Sequence, residues 1–243
     1  GAIETAAGLD NDSDLSVDED FVHRILLNDG TGRLEPLASA GVEEGSATGA
    51  AAFGDADGDG DLDLYYGNWL IAYPMRGAYP DRFMTGNGDG TFVDATASAG
   101  MVLAEPRPAY GVTWNDWDGD GDQDLLVSNY QLSANELWRN AGDGTFADVA
   151  ESVGFAFDAI GSRRPEYPGG HTYGGDFGDI DNDGDMDYYM CNLAHPRERP
   201  SSDPSLFLVN GGGPDYTMVD QRDALGPIYD EGDVNAAFGD YDN

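Results

Sequence analysis

An aspartate-rich loop occurs three times in this chain, and its recurrence constrains the fold more than any other feature. The copies run Asp55-Ala-Asp-Gly-Asp-Gly-Asp-Leu-Asp63, Asp116-Trp-Asp-Gly-Asp-Gly-Asp-Gln-Asp124 and Asp179-Ile-Asp-Asn-Asp-Gly-Asp-Met-Asp187. Carboxylates fall at alternate positions: Asp55, Asp57, Asp59, Asp61 and Asp63; Asp116, Asp118, Asp120, Asp122 and Asp124; Asp179, Asp181, Asp183, Asp185 and Asp187. Position 6 is always glycine. Like charges at this spacing repel unless a hard cation lies between them, and the glycine lets the chain wrap tightly around it. Successive loops start 61 and 63 residues apart, and a fourth opens another 61 residues on, at Asp240 and Asp242, where the sequence stops. A metal loop returning about every 60 residues signals a repeat architecture.

The metal implied is Ca²⁺, which takes six to eight hard oxygens. Alternate side chains of a curled loop converge, so positions 1, 3 and 5 supply carboxylates and position 9 closes the cage. Position 7 supplies its backbone carbonyl, and its own side chain points elsewhere. No glutamate at position 12 and no flanking helical pattern accompany the loops, so they are not EF-hands. Mg²⁺ keeps its waters and suits an all-protein cage poorly. A degenerate copy near the N-terminus keeps Asp10, Asp12, Asp14 and Asp18, with Leu15 in place of the turn glycine. The expected complement is three complete Ca²⁺ sites, the degenerate site and a truncated one at the C-terminal end. Coordination by protein oxygens makes the ion structural, and its binding energy becomes folding energy.

Around each loop the sequence reads as β-structure. Short apolar entries such as Ala51-Ala-Phe-Gly54 precede the loops, and runs such as Leu62-Asp-Leu-Tyr-Tyr66 follow them. A second hairpin comes next in each repeat, marked by Asn-Gly or Asp-Gly turns between apolar runs, as in Arg82 to Asp94 and Leu137 to Asp148. A similar hairpin spans Ile25 to Leu34, and a looser one opens at Leu206. Four short antiparallel strands per repeat, without long helices, predict an all-β propeller of four-stranded blades. The repeats divide at about 10–50, 51–110, 111–173 and 174–235, with the next beginning at 236–243.

Composition narrows the partners. A formal charge of −36 falls only to about −30 with three calcium ions bound, so nucleic acid and anionic membranes are poor partners. No apolar run reaches the ~20 residues that span a bilayer. The single cysteine, Cys191, excludes an internal disulfide and reads as a small buried hydrophobe. The chain opens Gly-Ala-Ile-Glu, which suggests that an N-terminal segment once preceded it. Loops of this kind suit a calcium-rich exterior, so an extracellular, periplasmic or cell-surface location is expected.

Irregular insertions differ between repeats and are the places to look for contacts. The first carries Trp69, Tyr73 and Tyr79; the second Arg163, Arg164, Tyr167, His171 and Tyr173; the third His195 and Arg197. Positive loops on a negative body would grip an acidic sugar or protein surface, or neutralise the local field. His23 reads as an ordinary surface histidine. No nucleophile elbow, zinc-type histidine cluster or phosphate-binding glycine motif is present, so no catalytic residue is assigned.

The repeats resemble the FG-GAP/VCBS family of calcium-bearing β-propellers. The resemblance is carried by Phe53 to Asp63 with Asn68, Trp114 to Asp124 with Asn129, and Phe177 to Asp187 with Asn192, each followed by its hairpin. The nearest likeness is to repeats beside ASPIC/UnbV modules and in cartilage-acidic-protein-like chains, and more distantly to the integrin α propeller. The resemblance implies about seven blades, of which this chain supplies about four. A sequence ending inside a metal loop is therefore expected to be part of a longer protein. It further implies a non-catalytic protein-binding, adhesion or assembly module, the alternative being a lyase-like enzyme or binding propeller for acidic polysaccharide.

Overall fold

The computed structural model describes residues 23–42, 45–71, 77–157, 170–193, 204–225 and 235–239. A two-stranded hairpin, β1 (Leu26–Asn28) with β2 (Leu34–Pro36), comes first. Three four-stranded antiparallel meanders follow. The first sheet contains β3 (Thr48–Gly54), β4 (Asp63–Asn68), β5 (Arg82–Gly86) and β6 (Phe92–Asp94). The second contains β7 (Ala109–Asn115), β8 (Asp124–Asn129), β9 (Glu136–Asn140) and β10 (Phe146–Asp148). The third contains β11 (Thr172–Gly178), β12 (Asp187–Asn192), β13 (Leu206–Asn210) and β14 (Met218–Asp220). The described helices, α1 (Ala150–Val153) and α2 (Arg222–Leu225), are single turns. No described sheet closes on itself; the sheets are blades of a partial all-β propeller.

Strand registers repeat from blade to blade. The first two strands of each blade end in the pairs Gly54–Asp63, Asn115–Asp124 and Gly178–Asp187, so the aspartate loop is itself the hairpin connection. Each first strand carries a bulge at the same place, between Thr48 and Ala50, Ala109 and Gly111, and Thr172 and Gly174. The second strand lies inside its sheet and is covered on both faces, in the first blade by the N-terminal hairpin segment and the second blade, in the second by the blades on either side. That is why Leu64-Tyr-Tyr66 and Leu125-Leu-Val127 are continuously apolar rather than alternating, and why both runs are wholly buried.

The core lies between blades. Leu64, Tyr66, Met84 and Phe92 pack under the N-terminal hairpin segment. Tyr65, Phe83, Leu125, Val127, Trp138 and Phe146 fill the space between the first two blades. Trp117, Leu137, Phe155, Phe177, Tyr188 and Leu208 fill the next. Cys191 is fully buried in β12, as its sequence context suggested. Innermost strands touch backbone to backbone: a Cβ on Gly49 would collide with the Ala109 carbonyl, and one on Gly111 with that of Tyr173. Larger residues at either position would push the blades apart.

His23 departs from the sequence reading. It is half-buried rather than a free surface residue; its ring stands edge-on to Tyr66 at 4.8 Å and its Nε2 lies 2.7 Å from the Thr48 hydroxyl.

Candidate metal centres

Each loop is held open by its own backbone before any ion is considered. The position 6 amide donates to the position 1 carboxylate: Gly60 to Asp55 at 3.2 Å, Gly121 to Asp116 at 3.1 Å and Gly184 to Asp179 at 3.1 Å. The position 7 amide donates to position 5, as Asp61 does to Asp59 at 2.8 Å, Asp122 to Asp120 at 3.1 Å and Asp185 to Asp183 at 3.0 Å. Gly60, Gly121 and Gly184 take φ values of +92, +98 and +97°, the left-handed turn that glycine makes without strain.

This curl brings carboxylate oxygens together in three groups, each within 4.8 Å: Asp55, Asp57 and Asp59; Asp116, Asp118 and Asp124; Asp179, Asp181 and Asp187. Asp55 Oδ1, Asp116 Oδ1 and Asp118 Oδ1 are buried and meet no hydrogen-bond donor among the described residues. A buried carboxylate oxygen without a donor is costly unless a cation meets it. The all-oxygen donor set, recurring in three loops, fits Ca²⁺.

Position 9 accepts backbone amides in all three loops, while Asp63, unlike Asp124 and Asp187, lies outside its loop's donor group. Asp63 accepts the Ala56 amide through one oxygen and the Gly86 amide through the other, both at 2.9 Å. Asp124 accepts Trp117 at 3.3 Å and Asn140 at 2.8 Å, and Asp187 accepts Ile180 at 2.9 Å and Asn210 at 2.8 Å. This carboxylate therefore clamps the metal loop to the end of the blade's third strand. Each oxygen retains a further lone pair, and Asp124 and Asp187 remain within the donor groups.

Position 7 points away from the other loop carboxylates. Asp61, Asp122 and Asp185 lie against the turn glycines of the second hairpin, Gly88, Gly142 and Gly212, where any Cβ would collide with the carboxylate.

Electrostatics agree with a cation site. Burial raises the Asp63, Asp118, Asp124 and Asp187 carboxyls, and Asp124 reaches about 7 with like charge from Asp118 added. Protons and calcium therefore compete for these oxygens. The second loop has an additional partner that the sequence did not reveal: Arg139 Nη2 stands 2.6 Å from Asp118 Oδ2 and 3.4 Å from Asp120 Oδ2.

Adjacent loops are joined across blades. The Asn140 amide donates to the Ala56 carbonyl of the preceding blade's loop at 2.6 Å and to Gln123 of its own at 3.0 Å. Asn210 repeats the pattern toward Trp117 and Met186, both at 3.2 Å.

Away from the loops, the structure gathers some of the expected contact residues. Trp69 stacks on Tyr110 at 4.0 Å, Tyr110 stacks on Tyr173 at 4.3 Å, and Tyr130 sits among them with His171 edge-on at 4.9 Å. This half-exposed cluster lies at the opposite ends of the strands from the calcium loops. Tyr79 belongs to the same segment through its amide, 3.1 Å from the Trp69 carbonyl. Tyr110 and Tyr130 were not singled out from sequence. Asp10, Asp12, Asp14, Asp18, Tyr73, Arg163, Arg164, Tyr167, His195, Arg197, Asp240 and Asp242 lie outside the described residues. No described helix is long and apolar enough to cross a membrane.

Blades of this topology, each with an aspartate cage in its first hairpin, define a calcium-loop β-propeller protein. More particularly, residues 8–66 and 116–190, over half the chain, match the FG-GAP-like repeat, and the protein belongs to that family. No curated protein matches the chain.

Proposed function

We infer that this chain is a calcium-stabilised, extracellular propeller segment acting as a non-catalytic protein-binding, adhesion or assembly module. One observation carries the reading: each loop is wired into its blade by the position 9 carboxylate. An ion held there braces the scaffold rather than facing a substrate. The net charge of −36 and the calcium chemistry support an exterior setting. The repeat divisions at 10–50, 51–110, 111–173 and 174–235 belong to the same proposal, as do the carboxylates assigned to calcium.

The test is a thermal melt in excess calcium and in excess chelator. A melting temperature that falls by ten degrees or more on chelation supports a structural ion; an unchanged melt overturns it. A second reading, an enzyme or binding propeller for acidic polysaccharide, draws on the packing of His171 against Tyr130 beside Tyr173. Formation of unsaturated uronate from polygalacturonate or alginate, lost in His171→Ala, would select it over the non-catalytic reading.

A further inference from the structure

A cavity of about 420 Å³ opens beside the first two blades, away from the calcium loops. That volume lies within the range of small-molecule sites, roughly 300–1,000 Å³. Its apolar wall comes from Met101, Leu103 and Pro106, and its polar wall from Asp81, Arg82 and Arg107.

Internal repetition separates what folding needs at Asp81 from what it does not. In every blade the amide of the asparagine ending the second strand donates to a side chain just before the third strand. Asn68 donates to Asp81 at 2.6 Å, Asn129 to Asn135 at 2.8 Å, and Asn192 to Ser205 at 3.1 Å. Neutral Asn and Ser do this work in two blades. The charge on Asp81 is therefore surplus to the turn, and its second oxygen only accepts the Tyr65 hydroxyl at 2.9 Å.

The nearby charges otherwise pair off. Arg82 stands 3.5 Å from Asp94, and Arg107 stands 3.4 Å from Glu136, which is fully buried. Glu136 also accepts Asn129 and Trp138, at 2.8 and 3.2 Å. Asp81 is left as the carboxylate at the cavity wall whose direct hydrogen bonds come from neutral groups. A surplus acid beside an apolar cavity, in a chain of charge −36, is matched by a positive ligand with an apolar body.

We propose that this cavity binds a small organic cation, an amine whose ammonium meets Asp81 and whose apolar body lies on Met101, Leu103 and Pro106. The site is independent of the calcium loops and of the binding role inferred above. Desolvation pushes the Asp81 carboxyl up to about 7 against the hydrogen bonds from Asn68 and Tyr65 and the weaker pull of Arg82 and Arg107, while Glu136 behind it is raised by burial and by Asp81 itself. An ammonium favours the ionised acid, so binding strengthens from pH 5.5 to pH 8.

The test is calorimetric titration of the calcium-loaded chain with hexylammonium, hexanol and hexanoate. Saturable binding of hexylammonium at millimolar concentration, with the alcohol and the acid at least about tenfold weaker, is expected, because a charge-assisted contact is worth that much. Asp81→Asn should erase the preference while leaving the melting temperature near wild type, since Asn135 fills the equivalent place in the next blade. Leu103→Trp, which fills the cavity and keeps Asp81, should abolish binding and guards against a folding defect in the first variant. No saturable binding of hexylammonium, equal binding of hexanol, or an unaltered preference in Asp81→Asn overturns the proposal.

Discussion

Replacing Asn140 with alanine tests whether neighbouring calcium loops are mechanically joined. The side chain is 2% exposed and makes three hydrogen bonds. Its amide donates to Ala56 O at 2.6 Å and Gln123 O at 3.0 Å, and its Oδ1 accepts the Gly142 amide at 3.0 Å. At about 1 kcal/mol net each, the loss is about 3 kcal/mol, and the carbonyl of buried Ala56 left without that donor pushes it upward. Asn87 is the internal control: its amide reaches only the exposed Thr91 hydroxyl, at 2.9 Å, so its alanine variant should lose under ~1 kcal/mol. Urea unfolding in saturating calcium measures both. A calcium titration followed by tryptophan fluorescence adds a second readout, since Trp117 sits within the second loop. Asn140→Ala should weaken calcium binding although Asn140 belongs to none of the donor groups. A loss no greater than that of Asn87→Ala, with unchanged calcium affinity, would refute the coupling.

Three further outcomes are expected. Arg139→Ala should tighten calcium binding at the second loop severalfold, because the guanidinium competes with the ion for Asp118 and Asp120; weaker binding would make it a supporting contact instead. Gly154→Ala should cost at least ~1 kcal/mol more than Gly119→Ala by urea unfolding: both glycines have positive φ, +88 and +70°, but only at Gly154 would the Cβ strike a backbone atom, the Met218 carbonyl. Glu136→Gln should flatten the dependence of stability on pH. Burial, then the Asp81 charge, raises this carboxyl above the ordinary glutamate range, against the pull of Arg107. In the window just above that range the folded state holds a proton that the unfolded state has released, so wild-type stability falls as pH rises through it. Urea midpoints from pH 5 to pH 9 in saturating calcium measure the difference, and parallel curves would refute the assignment.

Much of the blade pattern was legible because each element carries its own local signal. Alternating aspartates with glycine at the turn mark the first hairpin, and Asp-Gly pairs mark the second. The clamping role of Asp63, Asp124 and Asp187 was not legible, since spacing alone does not separate a metal ligand from an acceptor for backbone amides. Asn140 and Asn210 were equally silent: their partners Ala56 and Trp117 lie 84 and 93 residues away. Trp69, Tyr79, His171 and Tyr173 were legible as insertion residues, but their gathering around Tyr110 and Tyr130 was not, because Tyr110 looks like an ordinary strand residue. Tyr110 and Tyr173 lie within the bulges, between Ala109 and Gly111 and between Thr172 and Gly174. Tyr-Gly at the start of a repeat was the available signal, once paired with its recurrence.

The linkage between loops also accounts for a difference among the repeats. Asn140 and Asn210 each reach back to the preceding blade's calcium loop, and the corresponding residue of the first blade is Gly86. Its amide still meets Asp63, as those of Asn140 and Asn210 meet Asp124 and Asp187, so the clamp within the blade survives. Gly86 has no side chain with which to reach backward, and the loop before it in sequence is the degenerate one with Leu15 at the turn. The residue at the bridging position thus follows the turn residue of the loop before it in sequence: glycine after Leu15 at one junction, asparagine after Gly60 and Gly121 at the next two. That pairing is what a calcium loop acting on blade stacking requires: an ordered cage presents its position 2 carbonyl to the next blade, and the next blade's asparagine holds the cage in shape. An ion serving only its own hairpin would leave the asparagine free to vary independently of the loop before it.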